Sequence, residues 1–235
     1  MAKAAGTASP RERYRSQVRA EIKERAWEQI ADAGASALSL NAIAKRMGMS
    51  GPALYRYFGS RDELITELIR DAYRGLADTV GANARDGADL PELGHVLRRW
   101  ALEDPHRYLL IFGTPVPGYH APEDVTAISQ EIMSALLDAS AKLPDDSPEA
   151  AGPGPGDPSS PDSPGSPDVD FEQHIEAHRQ WAGDHPATPV ELHRALSFWT
   201  RVHGVLSLEL SGHFSGMGFD PATLFEAELA ALLRR

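Results

Sequence analysis

Cysteine is absent from all 235 residues, which removes disulfides, thiolate metal sites and thiol nucleophiles together. Aromatic residues are scarce at 7%, and no segment approaches the roughly 20 unbroken apolar residues that span a bilayer, so membrane insertion is not expected. The stretch from Met1 to Pro10 is small and polar and lacks the apolar run of a secretory signal, and a cytoplasmic location is the expectation. Alternating apolar and polar residues of strand length are missing as well, which argues against a sheet. There is no Gly-rich phosphate loop, nucleophile elbow or paired-carboxylate motif, so neither an enzyme nor a cofactor is expected. His174-Ile175-Glu176-Ala177-His178 does place two imidazoles four residues apart, a spacing that can hold a metal. A zinc-protease helix, however, needs glutamate directly after the first histidine, and Ile175 stands there, so a solvated surface is the default and no metal is assigned.

What is present is unevenly charged. The net charge of -11 looks unsuited to a nucleic-acid partner until it is divided along the chain. Residues 1 to 75 hold 13 Lys/Arg against 9 Asp/Glu, whereas the remainder holds 10 against 25. A basic head and an acidic body follow, the polarity expected where the head meets phosphate and the body stays soluble.

Helical periodicity runs through the chain. Val18, Ile22, Ala26, Trp27 and Ile30 recur at three- and four-residue steps between Arg11 and Ala33, with Gly34 as the stop. Ser39 caps a short second helix carrying Leu40, Ile43, Ala44 and Met47, and Gly48 closes it. Ser50 caps a third helix that runs to Gly59, with Pro52 in its first turn and Leu54 and Phe58 facing inward. Ser60-Arg61-Asp62-Glu63 reads as a capping box opening a long fourth helix striped by Leu64, Leu68, Ile69, Ala72 and Leu76. Further helix starts fall at Asp89, near Pro105, near Pro122, near Val169, at Thr188 and at Asp220. Residues 144–168 hold eight prolines, four glycines and no Lys or Arg, and are expected to be a disordered acidic insertion. The expected division is a disordered arm over 1–10, a head over 11–75 and a body over 76–235.

Residues Ser39 to Phe58 supply what a helix-turn-helix needs: a supporting helix, a tight turn at Gly48 and a second helix with a free outer face. Ser50, Gly51, Pro52 and Ala53 form a slim tip that can sit deep among base edges, Ser50 by hydrogen bonding and Ala53 against a thymine methyl. Tyr55, Arg56, Tyr57 and Arg61 flank it as donors, the longer ones suited to phosphate, and Ser39 adds a hydroxyl and a helix N-terminus. The plain alternatives are half-buried aromatics for the tyrosines and solvated charges for the arginines.

The run from Leu40 to Leu64, above all Leu54-Tyr55-Arg56-Tyr57-Phe58 followed by Ser60-Arg61-Asp62-Glu63-Leu64, resembles the TetR-family DNA-binding domain over about 55 residues, roughly Val18 to Tyr73. That family most often has lysine where Arg61 stands. In the body, Phe198-Trp199-Thr200-Arg201-Val202-His203-Gly204 resembles the Trp-His-Gly type of TetR C-terminal domain, and Pro105 to Phe112 resembles a segment seen with it. The resemblance implies an all-α fold: a three-helix helix-turn-helix domain joined by a long helix to a ligand-binding and dimerisation domain. It further implies a homodimer paired through its last two long helices, a palindromic operator in double-stranded DNA, and release by a small-molecule effector, the activity of a repressor. Activation remains open as the natural output. Candidate effector-pocket residues are Trp100, Tyr108, Phe112, Met133, Phe198, Trp199 and His203, for each of which plain core packing is the alternative. A helical metal-binding or enzymatic protein without DNA binding is the competing reading of the whole chain.

Overall fold

The computed structural model describes residues 9–113, 122–143 and 167–232. Within them the chain is all-helical, with α1 Pro10–Ala33, α2 Leu40–Arg46, α3 Gly51–Leu54, α4 Arg61–Arg85, α5 Leu90–Glu103, α6 Pro105–Phe112, α7 Glu123–Ser140, α8 Pro167–Ala177, α9 Pro189–Leu210 and α10 Pro221–Leu232. Every helix start expected from a cap-plus-proline pattern is found. Asp89 and Thr188 close reciprocal capping boxes with Glu92 and Glu191, each followed by proline in the first turn. Ser9 does the same with Glu12, and the two hydrogen bonds it gives hold the Glu12 carboxyl below its usual range. Ser9 and Pro10 are therefore part of α1 and its cap rather than of a disordered arm; residues 1–8 lie outside the described set.

The helices form two compact units. Among the described residues, the first comprises those up to Ala72 together with those of 106–122, and the second comprises 73–105 and those from Glu123 onward. The boundary expected at residue 75 thus falls near 72, and the segment around α6 belongs with the head. The cause is local: Tyr108 is buried, and the guanidinium of Arg107 lies 5.6 Å above the ring of Trp27 on α1. Most of the expected 144–168 insertion lies outside the described residues, but Pro167 and Asp168 already form the first turn of α8.

The core of the first unit is built from Val18, Ile22, Ala26 and Ile30 of α1, Leu40, Ile43 and Ala44 of α2, Leu54 and Phe58, and Leu64, Ile65, Leu68 and Ile69 of α4. Each fully buried side chain of this size contributes roughly 1.5–3 kcal/mol by leaving water. In the second unit, α9 buries Leu192, Ala195, Phe198, Val202, Val205 and Leu206. Three- and four-residue spacing predicts a stripe of Leu192, Leu196, Trp199, Val202, His203, Leu206 and Leu210 widened by Phe198 and Val205, but the inward face is centred on Phe198 and Val205, so that Leu196, Trp199, His203 and Leu210 lie at its edges. Gly94 on α5 explains the offset: a Cβ there would sit 3.0 Å from Leu229 of α10 and 3.3 Å from Phe198. The missing side chain lets three helices meet around the Phe198 ring.

Candidate nucleic-acid interface

The turn between α2 and α3 is made by Met47, Gly48, Met49 and Ser50. Gly48 has φ +65°, and the amides of Gly48 and Met49 bond back to Lys45 and Ala44 at 3.3 and 2.9 Å. This Schellman arrangement satisfies two carbonyls of α2 and requires a left-handed residue, which only glycine supplies without cost. Ser39 and Ser50 then cap α2 and α3, each accepting from the amide three residues on, at 3.4 and 3.3 Å. Gly51 is set by contact: a Cβ would meet Oδ1 of Asn41 at 3.2 Å, so α2 and α3 approach closely here.

The reading helix is shorter than the sequence suggests. Regular α structure covers Gly51–Leu54, and the chain then tightens into a turn in which the amides of Arg56 and Tyr57 bond three residues back, to Ala53 and Leu54. The carbonyls freed by this tightening are taken by α1. Arg15 donates to the Arg56 carbonyl at 3.4 Å, and Arg19 donates to the Tyr57 carbonyl while its guanidinium lies 4.1 Å above the buried ring of Phe58. Arg19 also pairs with Glu67 of α4 at 3.5 Å. Neither arginine was anticipated from sequence, although Arg11, Arg15 and Arg19 stand at four-residue intervals along one side of α1.

Leu54 and Phe58 are completely buried and hold α3 from behind. Ser50, Pro52, Tyr55 and Arg56 are exposed, and Gly51, Ala53 and Tyr57 are half-buried. Ser50, Pro52, Tyr55 and Arg56 are thus open to solvent on the side of α3 away from the buried Leu54 and Phe58. Arg61 is placed differently. Its Nε donates to the Leu38 carbonyl at 3.1 Å and its Nη2 to those of Ala35 and Ser36 at 2.8 and 3.3 Å, while Nη1 stands 3.6 Å from Asp62. Most of the fork expected to meet phosphate is turned onto the backbone connecting α1 and α2. The capping box at Ser60 is shifted too: Ser60 accepts from the Glu63 amide at 3.0 Å, but the Glu63 carboxylate reaches past it to the Gly59 amide at 2.7 Å.

The seven pocket candidates do not share one unit. Tyr108 and Phe112, with rings 5.2 Å apart, belong to the first, and the other five to the second. Within the second, Phe198 is core, Met133 is buried, and Trp199 and His203 pack ring to ring at 4.0 Å. Burial lowers the His203 pKa to about 4 from 6.5. The unfolded chain then holds a proton that the folded chain lacks between those values, so stability is complete above pH 6.5 and falls as pH drops through 4, by about 3 kcal/mol in total. Denaturant titrations at several pH values should show His203→Phe flattening this slope relative to the parent; equal slopes would mean that the imidazole is solvated. None of the seven lines the open space found between α4 and α7. That groove, about 550 Å³, is floored by Ala77, Gly81, Ala84, Ala135 and Ala139. At one end Arg74 binds Glu131 at 3.0 Å and Asp78 at 3.1 Å, and this hydrogen bonding raises the arginine pKa and lowers that of Glu131.

The sequence matches two family models: "Bacterial regulatory proteins, tetR family" over residues 22–68, and "Tetracyclin repressor-like, C-terminal domain" over 90–232. It is 38% identical over 230 residues to HTH-type transcriptional regulators of Mycobacterium tuberculosis and Mycobacterium bovis, covering 93% of this chain and 92% of each of them. Among solved structures, that of the regulatory protein SCO4313 is 63% identical and superposes with a TM-score of 0.82, covering 97% of this chain and all of the other. The TetR-family regulator PfmR of Thermus thermophilus shares the fold at a TM-score of 0.54 and 16% identity, over 91% of this chain and 97% of its own. No helix among the described residues is long and apolar enough to cross a membrane.

Proposed function

The chain belongs to the TetR family of DNA-binding transcriptional regulators, and from that premise we propose that it is a cytoplasmic homodimeric repressor released from a palindromic operator by a small molecule. The carrying observation is the outward face of α3: a slim tip of Ser50, Gly51, Pro52 and Ala53, backed by the completely buried Leu54 and Phe58. In the major groove this tip reads base edges, while Tyr55, Arg56 and Tyr57 reach phosphate oxygens on either side, and Ser39 adds a hydroxyl at the start of α2. Arg61 acts chiefly by placing that N-terminus.

Two copies supply the specificity that one turn of helix lacks, engaging half-sites about 34–36 Å apart. The proposed pairing surface is the side of α9 and α10 that one chain leaves open, with Thr200, Gly204 and Leu208 exposed on α9 and Ala227 and Ala230 exposed on α10. A Cβ at Gly204 meets nothing within 4 Å in the single chain, and small residues let helices of a partner approach closely. The effector site is proposed within the second unit. The groove between α4 and α7 has the size of a small-molecule site, whereas Trp199 and His203 form part of a packed wall.

Selecting bound duplexes from a random pool tests the reading. A twofold-symmetric site is expected, with Ser50→Ala or Ala53→Ser changing the preferred base at symmetric positions by roughly 1–3 kcal/mol and leaving the salt dependence unchanged. Enrichment of unrelated, asymmetric sequences would overturn it.

A further inference from the structure

We propose that His174 and His178 form a two-imidazole site for a divalent transition-metal ion, with Cu²⁺ bound most strongly. This inference is independent of the DNA reading. Both residues are exposed and lie four positions apart, His174 in the last turn of α8 and His178 just beyond its end, while Ile175 between them packs with Leu137, Leu192 and Ala195. Their rings are stacked, with centroids 4.3 Å apart and planes 29° from parallel. Two nitrogens bound to one ion at 2.0–2.1 Å, at angles between a right angle and the tetrahedral value, stand about 2.8–3.4 Å apart. Rotation of the His174 ring about χ2, a soft torsion, brings its nitrogen toward that arrangement while His178 keeps its place.

The second observation concerns the tautomer. Nδ1 of His178 lies 2.8 Å from the His174 carbonyl, an acceptor, so this nitrogen carries the hydrogen and donates it. The lone pair is thereby fixed on Nε2 of this exposed residue. A ring N–H donated to a backbone carbonyl is the support that metal-bound histidines ordinarily have, since it sets ring orientation and raises the basicity of the ligating nitrogen.

The field around the pair favours a cation. α8 carries Asp168, Asp170, Glu172 and Glu176 and no Lys or Arg. The nearest arginine, Arg179, is tied to Glu176 at 2.8 Å and to the carbonyls of His185 and Ala187 at 2.6 and 3.0 Å. Among the described residues no set of three potential ligands converges on one point, so water completes the shell. Two cis imidazoles plus water suit the tetragonal preference of Cu²⁺, with Ni²⁺ and Zn²⁺ weaker in the usual order. A bound ion would tie the last turn of α8 to the residue that follows it.

The test is titration of the full-length chain with Cu²⁺ alone in a non-coordinating buffer, read by calorimetry and by electron paramagnetic resonance. One tight ion per chain is expected, with hyperfine splitting from two nitrogens. His174→Ala and His178→Ala should each weaken that site by at least about tenfold and leave one nitrogen, whereas His213→Ala, an exposed histidine elsewhere, should change neither. Both sites of substitution are exposed, so equal thermal melting of the metal-free proteins verifies folding. Unchanged affinity in either alanine variant, or single-nitrogen splitting in the parent, overturns the proposal.

Discussion

Arg61→Ala is expected to lower operator affinity by roughly 30- to 100-fold at every sequence tested while leaving the salt dependence of binding unchanged. Its guanidinium makes three hydrogen bonds to the carbonyls of Ala35, Ser36 and Leu38, which lie in the 3-10 turn Ala35–Ala37 and at its end. Hydrogen bonds from a charged donor contribute about 1.5–3 kcal/mol each when dry, but this side chain is about one third exposed, and water recovers much of that, leaving about 2 kcal/mol. The same turn delivers Ser39, whose own amide is held by Gln29 at 2.9 Å, to the start of α2. Loss of the clamp therefore blurs the position of the supporting helix and so of α3. A lost phosphate contact would instead reduce the slope of log affinity against log salt by about one. Affinity and salt titrations separate the two outcomes. A reduced slope with no loss of stability would show that the guanidinium leaves the backbone to meet DNA.

The second large effect is expected at Arg98. Its guanidinium binds the Glu209 carboxylate in bidentate fashion, at 3.0 and 2.8 Å, with both side chains only 13–14% exposed. It also lies 5.3 Å above the ring of Phe225, linking α5, α9 and α10. Burial holds the Glu209 pKa above the usual carboxylate range even with this partner. Arg98→Ala leaves that charge without its counterion and should cost about 3–5 kcal/mol at neutral pH. A carboxyl whose folded pKa is raised favours the folded state at low pH and loses that contribution as pH rises through the folded value. The cost of the variant should therefore shrink as the solution is acidified and the carboxyl takes up its proton. Exchanging both partners, Arg98→Met with Glu209→Leu, should recover most of the loss. Urea unfolding measures all three; a cost below about 1 kcal/mol, constant with pH, would mean that the pair is solvated.

Much of this fold is legible in the sequence because its punctuation is local. Asp-Leu-Pro and Thr-Pro sequences act within one turn, and each opens the helix it signals at Asp89 and Thr188, whereas the equivalent Ser-Pro at Ser9, assigned from sequence to an arm, proves to open α1 in the same way. The outward face of α3 is legible for the same reason, since Leu54 and Phe58 fix which way the intervening residues point. What escapes is whatever depends on contacts across long separations. Arg61 reaches carbonyls 23 to 26 residues away, and Arg19 a carbonyl 38 residues away, and nothing in the spacing of an arginine announces a backbone partner. The return of α6 to the first unit and the rotation of the α9 face onto Gly94 are of the same kind. Periodicity defines a stripe to within a residue or so, and the packing partner selects among the choices.

The brevity of α3 has an engineering consequence. A single turn of helix has little stiffness of its own, and here its shape is imposed by Arg15 and Arg19 at one end and by the Asn41–Gly51 approach at the other. On the proposed function, a chimera that grafts residues 50–58 onto a foreign scaffold would carry the base-reading residues without the frame that holds them in line. Transplanting the base preference intact requires the block from Arg15 to Glu67 to move together, and libraries aimed at new operators do best to vary Ser50, Pro52, Ala53, Tyr55 and Arg56 while leaving that frame alone.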